Sequence, residues 1–167
     1  FDLSEGERSP QFNSFEKRLK IPNLRDQMDY DGGFTLEGPD FIGRGTPEKP
    51  AKIIFKRQNS PLFEISSVYF EMNPQQIISR NARAKMMYKS GDSLVIQSCF
   101  FTLNEQNKEI SINAIKKGSE YVPFIDSYFQ VYVFAPVLNW EFGTPEPYYT
   151  FEVGTSQEQK KASFQSM

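Results

Sequence analysis

Residues 94–115 decide the fold of this chain, and they read LVIQSCFFTL, then NEQNK, then EISINAI. The first run, residues 94–103, is rich in apolar, aromatic and β-branched residues, and the third, residues 109–115, alternates apolar with polar side chains. The connection between them is entirely polar. Two such runs joined by a short polar link predict an antiparallel β-hairpin, with Ile110 and Ile112 on its inward face.

Similar apolar runs continue on both sides of this hairpin, separated by turns rich in Gly, Pro and Asn. They cover residues 52–56, 62–72, 124–135, 138–142 and 148–153. Residues 76–88 fit a strand or a helix, and their alternation of apolar and polar side chains favours the strand. About eight short strands with these turns predict an all-β fold, an antiparallel β-sandwich that is jelly-roll-like. An open barrel is the alternative.

Three regions follow from this pattern. Residues 1–28 form an N-terminal arm with a short helix, which Ser9 caps and which ends at Ile21, before Pro22. Residues 29–154 form the β-sandwich domain, with a turn at Asp31-Gly32-Gly33. Residues 155–167 form a polar tail or linker. Because the chain begins with Phe rather than Met, we expect it to be one module of a larger protein.

The composition excludes several classes of function. The chain has no histidine, which removes the commonest general base and the usual zinc ligands. The net charge is −2 and the basic residues are scattered, so we expect no nucleic-acid partner. No apolar stretch approaches the roughly 20 residues of a transmembrane helix. The one cysteine, Cys99, lies in an apolar run and is expected to be a buried, inert thiol.

Acidic and glycine-rich segments predict no cofactor. Asp29-x-Asp31-Gly32 suits a structural calcium ion, but the rest of a calcium loop is missing, so we favour turn-forming aspartates. The glycines between Gly32 and Gly45 lack the Gly-Lys-Ser/Thr of a phosphate loop. Asp126, in an apolar context, is expected to be a buried structural carboxylate. No set of residues forms a recognisable catalytic constellation, so we do not expect an enzyme.

Aromatic residues in the last third of the chain provide the candidate binding site. The rings and amide of residues 128, 130 and 132 are predicted to share one face of a strand, with Phe134 beside them. The full set of candidate ligand-binding residues is Tyr128, Gln130, Tyr132, Trp140, Tyr148 and Tyr149. Such rings suit a saccharide-binding face or a protein interface, and they also suit simple core packing, which we favour.

Four short motifs resemble segments of large uncharacterised cell-envelope or secreted proteins of Gram-negative bacteria. The motifs are Asp31-Gly-Gly-Phe34, Phe41-Ile-Gly43-Arg-Gly45, Gly91-Asp-Ser-Leu94 and Pro123-Phe-Ile-Asp-Ser-Tyr128. The resemblance spans residues 29–142. It implies an embedded β-sandwich module in an extracytoplasmic setting (periplasmic, cell-surface or secreted), with neighbouring domains or other envelope proteins as partners and no assigned activity.

Two functional hypotheses follow. The first is a non-catalytic structural or protein-interaction module of a larger cell-envelope or secreted protein, which we favour. The alternative is a carbohydrate-binding module or part of a polysaccharide-acting enzyme, with a polysaccharide as partner. The two differ in whether the rings at positions 128, 132 and 140 are exposed on a sheet face or covered.

Overall fold

A computed structural model describes residues 11–14, 18–38, 40–150 and 163–167. Within these residues the fold is all-β, with strands and turns and no helix, and the main sheet is large and antiparallel. The expected helix of the N-terminal arm lies partly outside the described residues. Its described positions, 11–13 and 19–21, belong to strands, because both segments pair with the third strand of the chain.

Seventeen strands occur among the described residues. In chain order they are β1 Gln11–Asn13, β2 Leu19–Arg25, β3 Met28–Glu37, β4 Asp40–Arg44, β5 Ala51–Arg57, β6 Ser60–Ser67, β7 Tyr69–Asn73, β8 Gln76–Met87, β9 Ser93–Asn104, β10 Glu109–Ala114, β11 Lys116–Lys117, β12 Glu120–Tyr121, β13 Phe124–Asp126, β14 Val131–Phe134, β15 Val137–Glu141, β16 Tyr148–Thr150 and β17 Ser163–Ser166. Fifteen of them form one sheet, and β11 and β12 form a separate pair.

Six consecutive strands, β3 to β8, close into a circuit that we call the closed ring. The main order of the sheet is β16-β15-β10-β9-β8-β6-β5-β3-β4-β7, and β7 pairs again with β8. Both long strands of the ring change partners along their length. Residues 28–31 of β3 pair with β5 and residues 33–37 with β4. Residues 76–78 of β8 pair with β7 and residues 83–86 with β6.

The glycines at the change of partners in β3 lie inside the strand, which corrects the predicted turn at Asp31-Gly32-Gly33. A Cβ atom on Gly32 would lie 2.5 Å from the Tyr30 hydroxyl and 2.7 Å from Ala51 Cβ. On Gly43 of the adjacent β4 it would lie 2.9 Å from the same hydroxyl. These glycines therefore leave room for the buried Tyr30 ring beneath the backbone.

Ring contacts show that the rest of the sheet curls over its own face. Phe63 of β6 and Trp140 of β15 have centroids 5.5 Å apart, although the path β15-β10-β9-β8-β6 separates them by four steps. Four steps in a flat sheet would span about 19 Å. Phe55 of β5 likewise lies 6.1 Å from Phe101 of β9. The two parts of the sheet thus face each other in a sandwich-like arrangement around one core.

The central hairpin matches its prediction. β9 and β10 pair in register from Asn104↔Glu109 to Cys99↔Ala114, and Ile110 and Ile112 are buried. Residues 76–87 form a strand, β8, as favoured.

Three other segments differ from expectation. Residues 62–72 belong to two strands, because the chain breaks at the exposed Val68. Residues 124–135 are a hairpin, β13 and β14, rather than one strand. Of the expected tail, residues 155–162 lie outside the described part, and Ser163–Ser166 form β17, which pairs with β14.

Candidate functional site: a cleft beside the β13–β14 turn

The predicted aromatic site is divided between the core and the surface. Trp140 is 1 % exposed, so it is not part of an exposed face as the site prediction required. Its ring packs against Phe63 and, with centroids 4.9 Å apart, against Phe142. Its Nε1 donates to the carbonyl of Thr144 at 3.3 Å. The indole is a core residue whose one polar atom is satisfied internally.

Tyr128, Gln130 and Tyr132 do not share one strand face, because a turn separates them. Tyr128 and Gln130 lie in the exposed connection between β13 and β14, and Gln130 has a positive φ of 54°. Only Tyr132 lies in a strand, β14, where it and Phe134 are half-buried. The prediction that these residues share one face of a strand is therefore wrong.

Tyr148 and Tyr149 are neighbours in β16 and point to opposite faces of the sheet. Tyr148 is 45 % exposed, and its hydroxyl donates to Glu109 Oε1 at 3.4 Å. Tyr149 is half-buried, with its ring 5.5 Å from that of Phe124 in an edge-on contact. Of the six predicted residues, only Tyr149 lines the cleft described next.

An open cleft of about 1220 Å³ lies at the end of the sheet where four connections meet. Its walls come from the β5–β6 turn, the end of β8, the β13–β14 hairpin and the loop before β16. Apolar side chains provide most of its floor: Leu62, Met86, Leu94, Val131, Val133 and Leu138. Concave apolar surfaces with a few polar groups are the usual form of binding sites.

Asp126 is the buried polar group of this cleft, with 6 % of its surface exposed. Its Oδ1 accepts hydrogen bonds from the backbone N–H groups of Tyr128, at 2.9 Å, and Phe129, at 3.1 Å. Its Oδ2 accepts from the hydroxyl of Tyr88 at 2.8 Å. The carboxylate therefore fixes the turn that follows it, which agrees with the structural role expected of this residue.

Two exposed rings project from the turn that Asp126 holds. Tyr128 is 57 % exposed and Phe129 is 67 % exposed, and their centroids lie 4.8 Å apart in an edge-on contact. Tyr128 also packs against Tyr88 at 6.0 Å, and Phe129 lines the cleft. The result is an aromatic rim on a turn of defined geometry.

Two hydrogen bonds between Ser127 and Ser93 join the start of the same turn to β9. The N–H of Ser127 donates to the carbonyl of Ser93 at 3.0 Å, and the N–H of Ser93 donates to Ser127 Oγ at 2.9 Å. Asp126 and Ser127 therefore fix the start of the turn that carries the rim.

The phenols of the cleft are held in their neutral form. Burial is the main cause that raises the pKa of Tyr88, and its hydrogen bond to Asp126 and the negative charge of that carboxylate raise it further. Burial and then the charge of Asp126 also raise the pKa of Tyr149. No hydrogen bond joins the Tyr149 hydroxyl to another described residue, and its oxygen is open to solvent, because no fully buried polar side-chain atom of the described residues lacks a partner.

Charged groups at the cleft entrance are of both signs. Arg57 Nη1 donates to the carbonyl of Pro145 at 2.5 Å, which links the β5–β6 turn to the loop before β16. Lys89 and Glu146 also line the cleft and are exposed. Within the described part of the chain, neither Arg57 nor Lys89 nor any other cation forms an ion pair with Asp126.

A second, polar concavity of about 660 Å³ is lined in part by charges that already pair within the chain. Lys52 Nζ lies 3.1 Å from Glu64 Oε1, and Arg83 Nε donates to Gln97 Oε1 at 3.2 Å. Because these groups satisfy one another, the cleft beside the β13–β14 turn is the stronger candidate.

The aspartates considered for calcium are engaged by cations of the chain itself. Asp29 accepts from Lys56, with 2.7 Å between Nζ and Oδ1, and Asp31 pairs with Arg18 at 3.0 Å. The described residues contain no group of three or more side chains placed to ligate a metal ion together. Cys99 is buried as expected, and burial raises the pKa of its thiol to about 12.

Sequence reasoning named Tyr128 and Asp126 separately but missed Phe129 and Tyr88 as parts of one site. The local signal was the order Asp126-Ser-Tyr-Phe129, in which an aspartate can accept from backbone N–H groups two and three residues later. The hydrogen bond from Tyr88 to Asp126 depends on the pairing of β13 with β9, and no local sequence pattern predicts that pairing.

Comparisons with protein families, curated proteins and solved structures find no match to this chain. Nor does any helix that could span a membrane occur in the described ranges.

Proposed function

We propose that this chain is a non-catalytic protein-interaction module of a larger cell-envelope or secreted protein, and that it binds a partner polypeptide in the cleft beside the β13–β14 turn. The observation that carries this proposal is the aromatic rim. Tyr128 and Phe129 are largely exposed, yet Asp126 and Ser127 hold their turn in one conformation.

Rigid aromatic side chains beside an apolar concavity are typical anchors of protein interfaces, because they bury a large area at a low cost in conformational entropy. The cleft is also larger than most small-molecule sites and opens between loops, which suits a peptide segment. The extracytoplasmic setting and the envelope partners rest on the motif resemblance alone and belong to the same proposal.

The alternative is carbohydrate binding or carbohydrate cleavage. Its support is that Tyr128 and Tyr148 are exposed and that two carboxylates, Asp126 and Glu146, line one cleft. The burial of Trp140 weighs against a stacking face.

The two functions can be separated with one pair of variants. A phage-displayed peptide library is selected against the folded chain, and the chain is also titrated with a panel of soluble polysaccharides. We expect peptides to be selected and their binding to fall at least tenfold in Phe129→Ala. Tyr148→Ala is the matched control, because this exposed ring points to the other face of β16 and does not line the cleft, and this variant should bind these peptides normally.

The opposite pattern would overturn the proposal. Polysaccharide binding or cleavage that weakens in Tyr148→Ala, Asp126→Asn or Glu146→Gln, with no peptide selected, would establish the carbohydrate alternative. Peptide binding that survives Phe129→Ala would place the interface on another surface.

A further inference from the structure

No cation among the described residues balances the negative charge of the buried Asp126. Its three hydrogen-bond donors, two backbone N–H groups and the Tyr88 hydroxyl, are all neutral. Ion pairs do occur elsewhere in the chain, as between Lys56 and Asp29. A buried charge is ordinarily paired, so the site is electrostatically incomplete without a cation.

The acceptor capacity of this carboxylate is also incomplete. An ionised carboxylate offers about four lone-pair positions. Two of those on Asp126 are filled at Oδ1 and one at Oδ2, which leaves an acceptor position on Oδ2. The hydroxyl of Tyr149, which lines the same cleft, has no partner among the described residues.

The surroundings of Asp126 suit a long cationic side chain. Tyr88, Tyr149 and Phe129 line the cleft with aromatic rings, whose faces attract cations. The apolar floor suits the methylene stem that carries such a charge, since lysine and arginine bury their stems along apolar surfaces. The two described cations that line the cleft do not pair with Asp126: Arg57 is bound to the Pro145 carbonyl, and Lys89 is exposed at the β8–β9 turn.

From this charge complementarity we infer that the partner segment inserts a lysine or arginine side chain into the cleft, with its cationic head at Asp126 and Tyr149 and its stem on the apolar floor. This inference rests on the proposed function, since it specifies the chemistry of the polypeptide that the module binds.

The test uses small probes that differ in the cationic head. The ¹⁵N-labelled chain is titrated with the N-acetyl methylamides of lysine, arginine, norleucine and glutamate. Norleucine keeps an aliphatic stem and lacks the charge. The amide signals of Tyr128 and Phe129 are the reporters, because these N–H groups donate to Asp126.

We expect the lysine or arginine probe to bind at least tenfold more tightly than norleucine and to shift both reporters. Asp126→Asn keeps an acceptor oxygen and removes the charge, so it should abolish the preference. Asp92→Asn is the matched control, since Asp92 is a nearby turn carboxylate held by Ser90 and Ser127 and does not line the cleft. If Asp126→Asn does not fold, Tyr149→Phe replaces it and should weaken cation binding severalfold.

Three results would overturn the inference. Equal affinity for norleucine would indicate a purely apolar pocket, and a preference that persists in Asp126→Asn would place the cation elsewhere. Binding of the glutamate probe alone would indicate an anion site at Arg57 and Lys89. Peptides that require Phe129 but contain no lysine or arginine would refute this inference while leaving the proposed function intact.

Discussion

A buried tyrosine and a half-buried one show how differently the two ends of this sheet are built. Tyr30 lies in the closed ring, where its hydroxyl donates to the Gly33 carbonyl and accepts from the Arg44 N–H at 3.2 Å. Tyr149 lies beside the cleft, where its hydroxyl has no partner among the described residues. At one end of the sheet a tyrosine hydroxyl is hydrogen-bonded within the core. At the other end a tyrosine hydroxyl is available to hydrogen-bond a ligand in the cleft.

The difference follows from strand pairing. The closed ring returns to itself through the β7–β8 pairing, so its inner side chains are covered by neighbouring strands. In the described part of the chain, the β13–β14 hairpin pairs with β9 at two positions, Ile125↔Val95 and Asp126↔Leu94. Leu94 of β9 and Val131 and Val133 of β14 line the cleft, so the cleft lies at this short junction.

The largest effect on stability is expected from Tyr30→Ala in the closed ring. Removing a fully buried ring of this size costs about 3–5 kcal/mol. Tyr30→Phe should cost only about 1–2 kcal/mol, because it removes the hydroxyl alone and leaves the Arg44 N–H without that acceptor. Urea unfolding measures both, and a loss below 1 kcal/mol for Tyr30→Ala would show that the ring is not closed around this residue.

The next largest effect is expected from alkaline pH, which should destabilise the core that contains Tyr30 and Cys99. Burial raises the pKa of Tyr30 and of the Cys99 thiol to about 12 each. The unfolded chain loses these protons near pH 10 and pH 8.5 respectively, whereas the folded chain keeps them. Stability is therefore complete below about pH 8.5 and falls as pH rises, by at most about 1.4 kcal/mol per pH unit for each group.

Unfolding free energies measured between pH 7 and pH 11 test this dependence. Cys99→Ala should remove the part of the decline that begins near pH 8.5 and leave the part above pH 10. A stability that stays constant to pH 11 would contradict the burial of both groups.

Asp126→Ala, beside the cleft, is expected to lower the free energy of unfolding by a smaller amount, about 1–3 kcal/mol. The reason is that two backbone N–H groups and the Tyr88 hydroxyl lose their acceptor. Hydrogen exchange should accelerate at Tyr128 and Phe129 and remain unchanged in β9 and β10. Asp126→Asn serves as the comparison and should retain slow exchange at one or both amides. Global acceleration would mean that the hairpin belongs to the same cooperative unit as the core.

The smallest stability effect is expected from Phe129→Ala at the rim. The ring is 67 % exposed, so the unfolding free energy should change by no more than about 0.5 kcal/mol. Because the same substitution should weaken peptide binding at least tenfold, it separates binding from folding. A large loss of stability would show that the ring packs into its own cleft.

Local patterns predicted the parts of this fold that local contacts build. The β9–β10 hairpin was predicted correctly because its alternation and its polar turn lie within 22 consecutive residues, 94–115. The β13–β14 turn was missed because its residues, Ser127 to Gln130, include two aromatic rings and no Gly or Pro. Its geometry comes from Asp126 and from the positive φ of Gln130.

The candidate site was harder to predict because it depends on contacts between distant strands. Trp140 and Tyr128 are similar signals in the sequence, yet one is buried by Phe63 from a strand four steps away and the other projects from a turn. The bend and closure of the sheet decide which aromatic residue is covered. Neither property has a local signature in the sequence.

The account depends on Trp140 being buried in the core while Tyr128 and Phe129 are exposed at the rim of the cleft. The most direct test of this is acrylamide quenching of Trp140, the only tryptophan in the chain. We expect blue-shifted emission in the folded chain and a quenching constant several times below that of the same chain in concentrated urea. Equal quenching in the folded and unfolded chains would place the indole at the surface. That result would restore an exposed aromatic stacking face and contradict the assignment of binding to the cleft.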